Sequence, residues 1–559
     1  MKRVLLRLLG VVLMTMLAAC ASVSRREGAD RVQALVGQRV PDAGFWSQAP
    51  QVPAAIESRV NELLAAPLTP VSAQKVALLK NPDLAASFAK LGIAQADVVE
   101  ASRIGNPGFS ASALRDGGPS KITMGLSLPL SDLLLLSSKR RFAEGEYERA
   151  QQLIAAEIVT LCADVARAWY EAAGARQVAA MRDAVSRAAA ASSDLAQRYY
   201  EAGNISALAL KLEQASASQA RIAASMARAE STRARLALNA RMGLNGDMAG
   251  RWQLDVPLAA PAETEDELET LRALARENRL DLLAARREVD QLGEALGVVR
   301  RWRLIGNIDL GVEREREPDG GKLSGPSLAL AIPLFNQGQA AIARAQAQLE
   351  IGRANLARLE LQIDNDVVLG RDRVAAMRSI VEDYRSALVP QREAIVARQQ
   401  ERTDFMLSGA FDLLLSRQQE FDAYAAYLDA VRDYWVARTE LGRAVGTVLP
   451  SDASISTRVI DVEALLAPTE VSAPEHMHHG GSADAMPGMD HSGHGVPAME
   501  AGPADDQAPA GGEGRTMDHS GHGSPPIGPA PTGTHGAKER HEKAQDTSDA
   551  MHDGYEGSK

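Results

Sequence analysis

Histidine is missing from the first 475 residues of this 559-residue chain. That stretch therefore lacks the side chain that ordinarily serves as a general base near neutral pH. Cysteine occurs only twice, as Cys20 and Cys162, so no disulfide framework is available. Aromatic residues make up 4% of the chain and no basic patch accompanies them, which argues against a nucleic acid partner. There is no glycine-rich phosphate loop and no serine in a nucleophile setting. Carboxylates on the helical stretches mix with arginine at helical spacing, as on solvated or inter-helix faces. Nothing reads as an enzyme. Proline is absent between Pro129 and Pro257, which leaves room for very long helices.

What is present begins at the ends. Lys2 and Arg3 precede a mostly apolar stretch, Val4 to Ala19, interrupted by Arg7. It is too short and too poorly flanked for a stable membrane span, so residues 1–19 read as a secretion signal. Leu17-Ala18-Ala19-Cys20 resembles the lipobox of bacterial lipoproteins. The resemblance implies acylation of Cys20, and Ala21 rather than Asp after it implies sorting to the outer membrane. Cys162 falls in a helical pattern with Ile158, Leu161 and Val165 and reads as a small core residue.

All ten histidines lie between His476 and His552. Residues 468–559 are rich in Gly, Pro, Ala, Asp, Ser and His, with no Phe or Trp, and disorder is expected there. Met-Asp-His-Ser-Gly-His-Gly occurs twice, at 489–495 and 517–523, and six methionines lie among the last 84 residues. Imidazole and thioether together suit soft and borderline metals, so copper is the expected ligand, with silver and zinc as alternatives. The expected ligands are His476, Met477, His478 and His479; Met489, His491 and His494; and Met517, His519 and His522. No cofactor is required by the rest of the chain. From Ala467 onward 15 acidic and 5 basic residues carry −10 of the total charge of −11, so the body is nearly neutral.

The body is one unit written twice, at an offset of about 200 residues. Asn81-Pro82-Asp83-Leu84 is echoed by Asn278-Arg279-Leu280-Asp281-Leu282. Leu126-Ser127-Leu128-Pro129-Leu130 is echoed by Leu330-Ala331-Ile332-Pro333-Leu334, and Asp116-Gly117-Gly118 by Asp319-Gly320-Gly321. Tyr200-Glu201-Ala202-Gly203 is echoed by Met406-Leu407-Ser408-Gly409, and Arg241-Met242-Gly243 by Ala444-Val445-Gly446. The expected division is an N-terminal extension at 20–70, repeats at 71–260 and 261–447, a linker at 448–467 and the tail.

Each half reads as helix, hairpin, very long helix, turn and long helix, a mainly α class with a small β part. Period-2 alternation predicts strands near 108–115, 122–130, 304–314 and 325–333. Composition predicts a helix over about 138–202, broken at Gly203-Asn204 and returning to Met242. The second half breaks at Ser408-Gly409, with a kink expected at Pro390. Four strands with an apolar face pose a problem, because an open sheet cannot sit in a bilayer with free edges.

In order and twice over, these motifs resemble the TolC-like outer-membrane efflux protein family, over about residues 68–447. Arg103-Ile104-Gly105-Asn106-Pro107 before the first strand and the closing Met-Gly-Leu belong to the same pattern. The resemblance implies a homotrimer with a 12-stranded outer-membrane barrel and a 12-helix periplasmic tunnel. It implies a periplasmic adaptor (membrane fusion protein) and an inner-membrane pump as partners, with outer-membrane lipid around the barrel. The adaptor-docking tips would be Gly203 with Asn204, and Gly409 with Ala410. The lipobox and extension fit the lipoprotein branch of drug and heavy-metal efflux channels. Some members carry aspartates just past the second helix turn; here Leu413-Leu414-Leu415-Ser416-Arg417-Gln418 stands there. Asp404 and Asp412, near the tip, read as solvated helix-end charges, with an acidic gate as the alternative. The expected function is a passive export duct, for copper or another heavy metal. The alternatives are a multidrug channel with an incidental His-rich tail, and a metal-buffering scaffold lipoprotein.

Overall fold

The structure is a computed structural model that describes residues 25–41, 53–115, 117–303, 306–455 and 458–466. Cys20 and the whole His/Met-rich tail lie outside the described residues. The chain begins with α1 (Arg25–Gly37), α2 (Pro53–Ala65), α3 (Pro70–Lys80) and α4 (Pro82–Ala101). A hairpin of β1 (Gly108–Leu114) and β2 (Lys121–Pro129) leads into α5 (Leu130–Glu201) and α6 (Ala207–Met242). After the short α7 (Met248–Arg251), the second half repeats the order. It runs α8 (Leu268–Asn278), α9 (Leu280–Trp302), β3 (Ile308–Arg316), β4 (Lys322–Leu330) and α10 (Gln339–Asp383). A π-helical turn (Tyr384–Leu388) joins α10 to α11 (Val389–Asp404), and α12 (Ala410–Val445) returns. A 3₁₀ turn (Pro450–Ser454) and α13 (Val462–Leu466) follow.

The helix α5 has 72 residues and spans about 110 Å at the usual rise of about 1.5 Å per residue. It starts directly after Pro129, not near residue 138 as composition suggested. The Leu130–Leu136 run is helical, with Asp132 in the first turn where it favours the helix dipole. In the second half Pro390 produces a π turn instead of a plain kink. Its ring has no N–H and would strike the carbonyl one turn back. The wider turn accommodates it, and the Val389 N–H bonds to the Tyr384 carbonyl, five residues back.

One core serves both halves. Trp169 of α5 donates its indole N–H to the Leu68 carbonyl at 2.7 Å, and Trp435 of α12 donates to Ala259 at 2.8 Å. Tyr170 stacks on Trp435 with ring centroids 5.3 Å apart. Within 448–467, expected to form a linker, residues 448–455 and 458–466 are instead part of this body. Leu449, Ile460 and Val462 are buried in the same core, and Val459 bridges to Ala259. The N-terminal extension is packed as well. Val32 and Val36 lie against Ile154, Ile158 and Cys162, and Val60, Leu64 and Leu68 join the main core. Buried Arg39 donates to the Asn278 carbonyl at 2.6 Å, while its own carbonyl accepts from the Val448 N–H and the Thr447 hydroxyl.

The duplication extends to single bonds. Asn81 precedes α4 in extended backbone; it caps the Asp83 N–H at 2.8 Å and donates to the Arg241 carbonyl at the end of α6, at 2.9 Å. The structural counterpart in the second half is Arg279, not Asn278. Arg279 donates to the Ala444 carbonyl at the end of α12, at 3.0 Å, and holds Asp281 through two nitrogens at 2.6 and 2.8 Å. Gly243 and Gly446 close the matching helices, with φ of 70° and 80°. A Cβ on Gly243 would lie 2.5 Å from the Lys80 carbonyl oxygen, so that helix end meets the α3–α4 corner through bare backbone.

Candidate channel-forming site

The four strands form one antiparallel sheet in the order β1-β2-β3-β4. The ends of β3 and β4 lie two to four residues from their expected positions, at 308–316 and 322–330 rather than 304–314 and 325–333. The reason is the tight turn between them, where Gly320 takes φ 89° and the Glu317 N–H bonds to the Gly321 carbonyl. Pro333 consequently lies past the strand.

The register separates two chemistries. Residues paired across the strands share a face. Phe109 pairs with Leu126, Leu126 with Val312, Leu128 with Leu310, and Leu310 with Leu328. Met124 lies on this face too, opposite Ala111 and Arg314. On β2 the apolar positions run from Ile122 to Leu128, about 20 Å at the usual strand rise of about 3.3 Å per residue, with Arg314 and Arg316 on the same face beside the Ile122 end. The other face carries Ser110, Thr123, Gly125, Ser127, Asp309, Glu313 and Glu315. Phe109, Leu126, Val312 and Leu328 are all exposed. Among the described residues nothing covers the apolar face, and β1 and β4 each offer an unpaired edge.

At the far ends of the long helices are two turns. The first follows expectation. Gly203 takes φ 75° and the Asn204 N–H closes back on the Tyr199 carbonyl. Ser206 then caps α6 by accepting the Ala209 N–H. The second has the same hydrogen bonds, with the Leu407 N–H on the Arg402 carbonyl, but the left-handed residue is Met406, at φ 57°. The sequence echo of Gly203 in Gly409 is therefore displaced by three residues. Gly409 is extended, starts α12 as Ser206 starts α6, and donates its N–H to Asp412 at 3.2 Å. Ala410 is the first residue of that helix. Phe405, Met406 and Leu407 are all exposed at this tip, Met406 at 92%.

Asp412 is occupied by capping and Asp404 accepts from Gln400 at 2.8 Å, as expected of helix-end charges. The acid that sequence reasoning missed is Glu420, two turns further on and 1% exposed. Arg417 holds it at 2.9 Å, and Tyr424 beside it donates to Glu393 at 2.8 Å. Burial holds the Glu420 carboxyl above its ordinary range, against the pull of Arg417. Its signal is the Arg417–Glu420 spacing, which on an exposed helix would signify nothing.

Cys162 is the core residue expected; burial pushes its thiol up to about 12. Among the described residues no group of His, Cys, Asp or Glu could hold a metal. No described helix is long and apolar enough to cross a membrane. One cleft, lined by Asn278 to Asp281, α5, α10 and α12, holds the ion pairs Arg373–Glu440 and Arg279–Asp281.

Residues 74–244 match the family described as outer membrane efflux protein. No curated protein matches the chain by sequence. Solved structures do. A membrane protein from Pseudomonas aeruginosa is 17% identical, covers 70% of this chain and 92% of its own, and superposes with a TM-score of 0.57. CusC, from a study of folding and transmembrane channel formation, is 16% identical over 68% of this chain and 93% of its own, at 0.58. The outer membrane protein VceC of Vibrio cholerae is 17% identical over 70% and 97%, at 0.57. At these identities the likeness is one of fold: a mostly helical body carrying one small sheet.

Proposed function

We propose, for a chain that carries an outer membrane efflux protein segment on the fold of outer-membrane channels, that it is one protomer of a passive export duct. One observation carries the reading: a sheet with one uncovered apolar face and two open edges, mounted on a helix of 72 residues. In lipid every backbone group needs a partner, so the edges of β1 and β4 must pair with other copies. Three copies supply twelve strands, above the smallest known membrane barrels of about 8. The polar face, with Asp309, Glu313 and Glu315, then lines the lumen. The long helices extend the duct into the periplasm, toward an adaptor and an inner-membrane pump. The tips at Gly203-Asn204 and at Met406 to Ala410 are the surfaces offered to the adaptor. Family members of this kind are transport ducts, and no catalytic role is assigned to any residue.

The ends of the chain extend the proposal. Cys20 is acylated and adds a lipid anchor to the barrel. The tail binds copper through its His/Met groups and links the duct to metal export. Planar bilayers doped with the purified full-length protein test the duct. Discrete conductance steps together with cross-linked trimers are expected; a monomer without conductance overturns the reading. Deleting the tail from Pro474 onward tests the metal. Assembly should survive, since every core residue described lies before Pro474, and copper tolerance should fall. Unchanged tolerance across a copper series would leave a drug channel with an incidental tail.

A further inference from the structure

The sheet joins the helical body at four places, and the charge there is one-sided. Between α4 and β1 stands Arg103. The start of α5 carries Lys139, Arg140 and Arg141 against the single acid Asp132. The end of α9 carries Arg300, Arg301 and Arg303, and the first turns of α10 carry Arg344. Residues 102–107, 130–141, 297–307 and 331–344 thus hold eight cations and one carboxylate, a net of +7 in a body that is close to neutral.

Packing sets these segments at one level. α9 runs antiparallel to α5, with Gln291 on the Phe142 carbonyl, Glu288 on Arg149 and Arg287 on Glu148. Extending that register places Arg300 and Arg301 beside Leu134 and Leu135, in the turns of α5 next to β2. Gly338, at the start of α10, lies against Arg303. Lys139 and Arg140 are paired, to Asp132 and Glu144. Arg141, Arg300, Arg301, Arg303 and Arg344 are exposed, and among the described residues none of the five makes an ion pair. Apolar side chains protrude among them: Leu133, Leu134, Ile332, Leu334 and Phe335, the last 97% exposed. They lie in the segments that join the sheet to the helices.

We propose that this collar binds the anionic headgroups of phospholipids in the leaflet that faces the helical body, its apolar side chains seated among the acyl chains. The inference rests on the channel reading above and adds a lipid class to it. Charge decides the class. Unpaired guanidinium groups beside protruding leucine and phenylalanine match a phosphate on a lipid, and a zwitterionic headgroup offers no net charge to them. A free anion would need no neighbouring apolar side chains.

The test uses the full-length protein in detergent, equilibrated with mixed micelles of phosphatidylglycerol and phosphatidylcholine. After gel filtration the lipid retained on the protein is counted. Phosphatidylglycerol should be enriched at least about fivefold, and salt near 1 M, where the Debye length is about 3 Å, should erase the enrichment. Equal retention of the two lipids at low salt overturns the proposal, and that reading needs no variant. Combined Arg300→Gln, Arg301→Gln and Arg303→Gln should remove most of the enrichment with trimer and conductance intact. Removing the same charge on the helical body, through Arg187→Gln, Arg353→Gln and Arg358→Gln, should leave it unchanged. Enrichment that is equal in both triple variants places the lipid elsewhere and also overturns the collar. Loss of the channel reading would appear separately, as absent conductance.

Discussion

Asn81 and Arg279 show how one task is met by two side chains. Each joins the start of a helix to the last carbonyls of a returning helix. Asn81→Ala removes a cap and leaves the Arg241 carbonyl without its partner; a loss of about 2 kcal/mol is expected. Thermal unfolding followed by circular dichroism measures it, and an unchanged midpoint would show the joint to be redundant. At the second joint, burial alone would raise the Asp281 carboxyl, but the hydrogen bond and charge of Arg279 outweigh it and hold it below its ordinary range. A depressed carboxyl contributes stability above its unfolded pKa, and that contribution is lost as pH falls through the folded value. The wild type should therefore lose stability below about pH 4 more steeply than Arg279→Gln, which lacks the pair. Parallel acid profiles would count against the assignment. The sequence announced Asn81 through Asn-Pro, a recognisable helix start. It misplaced the counterpart by one residue, because Asn278 copies the letter while Arg279 copies the backbone position.

Among elements, the two tips differ in strain. Gly203 adopts its left-handed conformation freely, whereas Met406 does so against a steric cost of about 1–2 kcal/mol. Met406→Gly should be neutral or stabilising by up to about 1 kcal/mol, contrary to most substitutions, once the added freedom of glycine in the unfolded chain is counted. Gly203→Val should cost about 1–2 kcal/mol, although no atom lies near its side chain, since the strain is in the backbone. Gly409→Ala should be nearly silent, because an extended residue accepts a Cβ. Denaturation midpoints of the three variants check the order, and a costly Gly409→Ala would restore that glycine as the helix terminator. Helices and hairpins were legible because their signals are local: a proline-free run, alternation, Asp-Gly-Gly. The left-handed Met406 was not, because no residue preference marks it. The start of α5 was missed because an apolar run of leucines, unlike a proline or glycine, does not reveal which period it follows.

For the whole molecule, the register decides which substitutions meet lipid. Leu310→Asp places a carboxylate in the apolar band and should impair membrane insertion, at a cost below the about 2–4 kcal/mol of a cation at the bilayer midplane; Ser127→Asp, on the other face, should insert normally. Fractionation of outer membranes after expression compares them, and equal insertion would reverse the assignment of faces. The cationic collar was invisible in the sequence because its members come from four separated segments, none of which is a charge run. The packed extension was also hidden, for 20–70 holds no repeat to align. That extension carries a consequence in time. The Arg39 carbonyl waits for the Thr447 hydroxyl, 408 residues downstream, and for the Val448 N–H beside it. A chain synthesised N-terminus first delivers one long before the other. At a supply of roughly 5–20 residues per second the interval is some tens of seconds. Throughout it the side of α5 that packs on α12 has no partner. In the order of synthesis this joint therefore closes late, since it needs the residue that follows the last long helix.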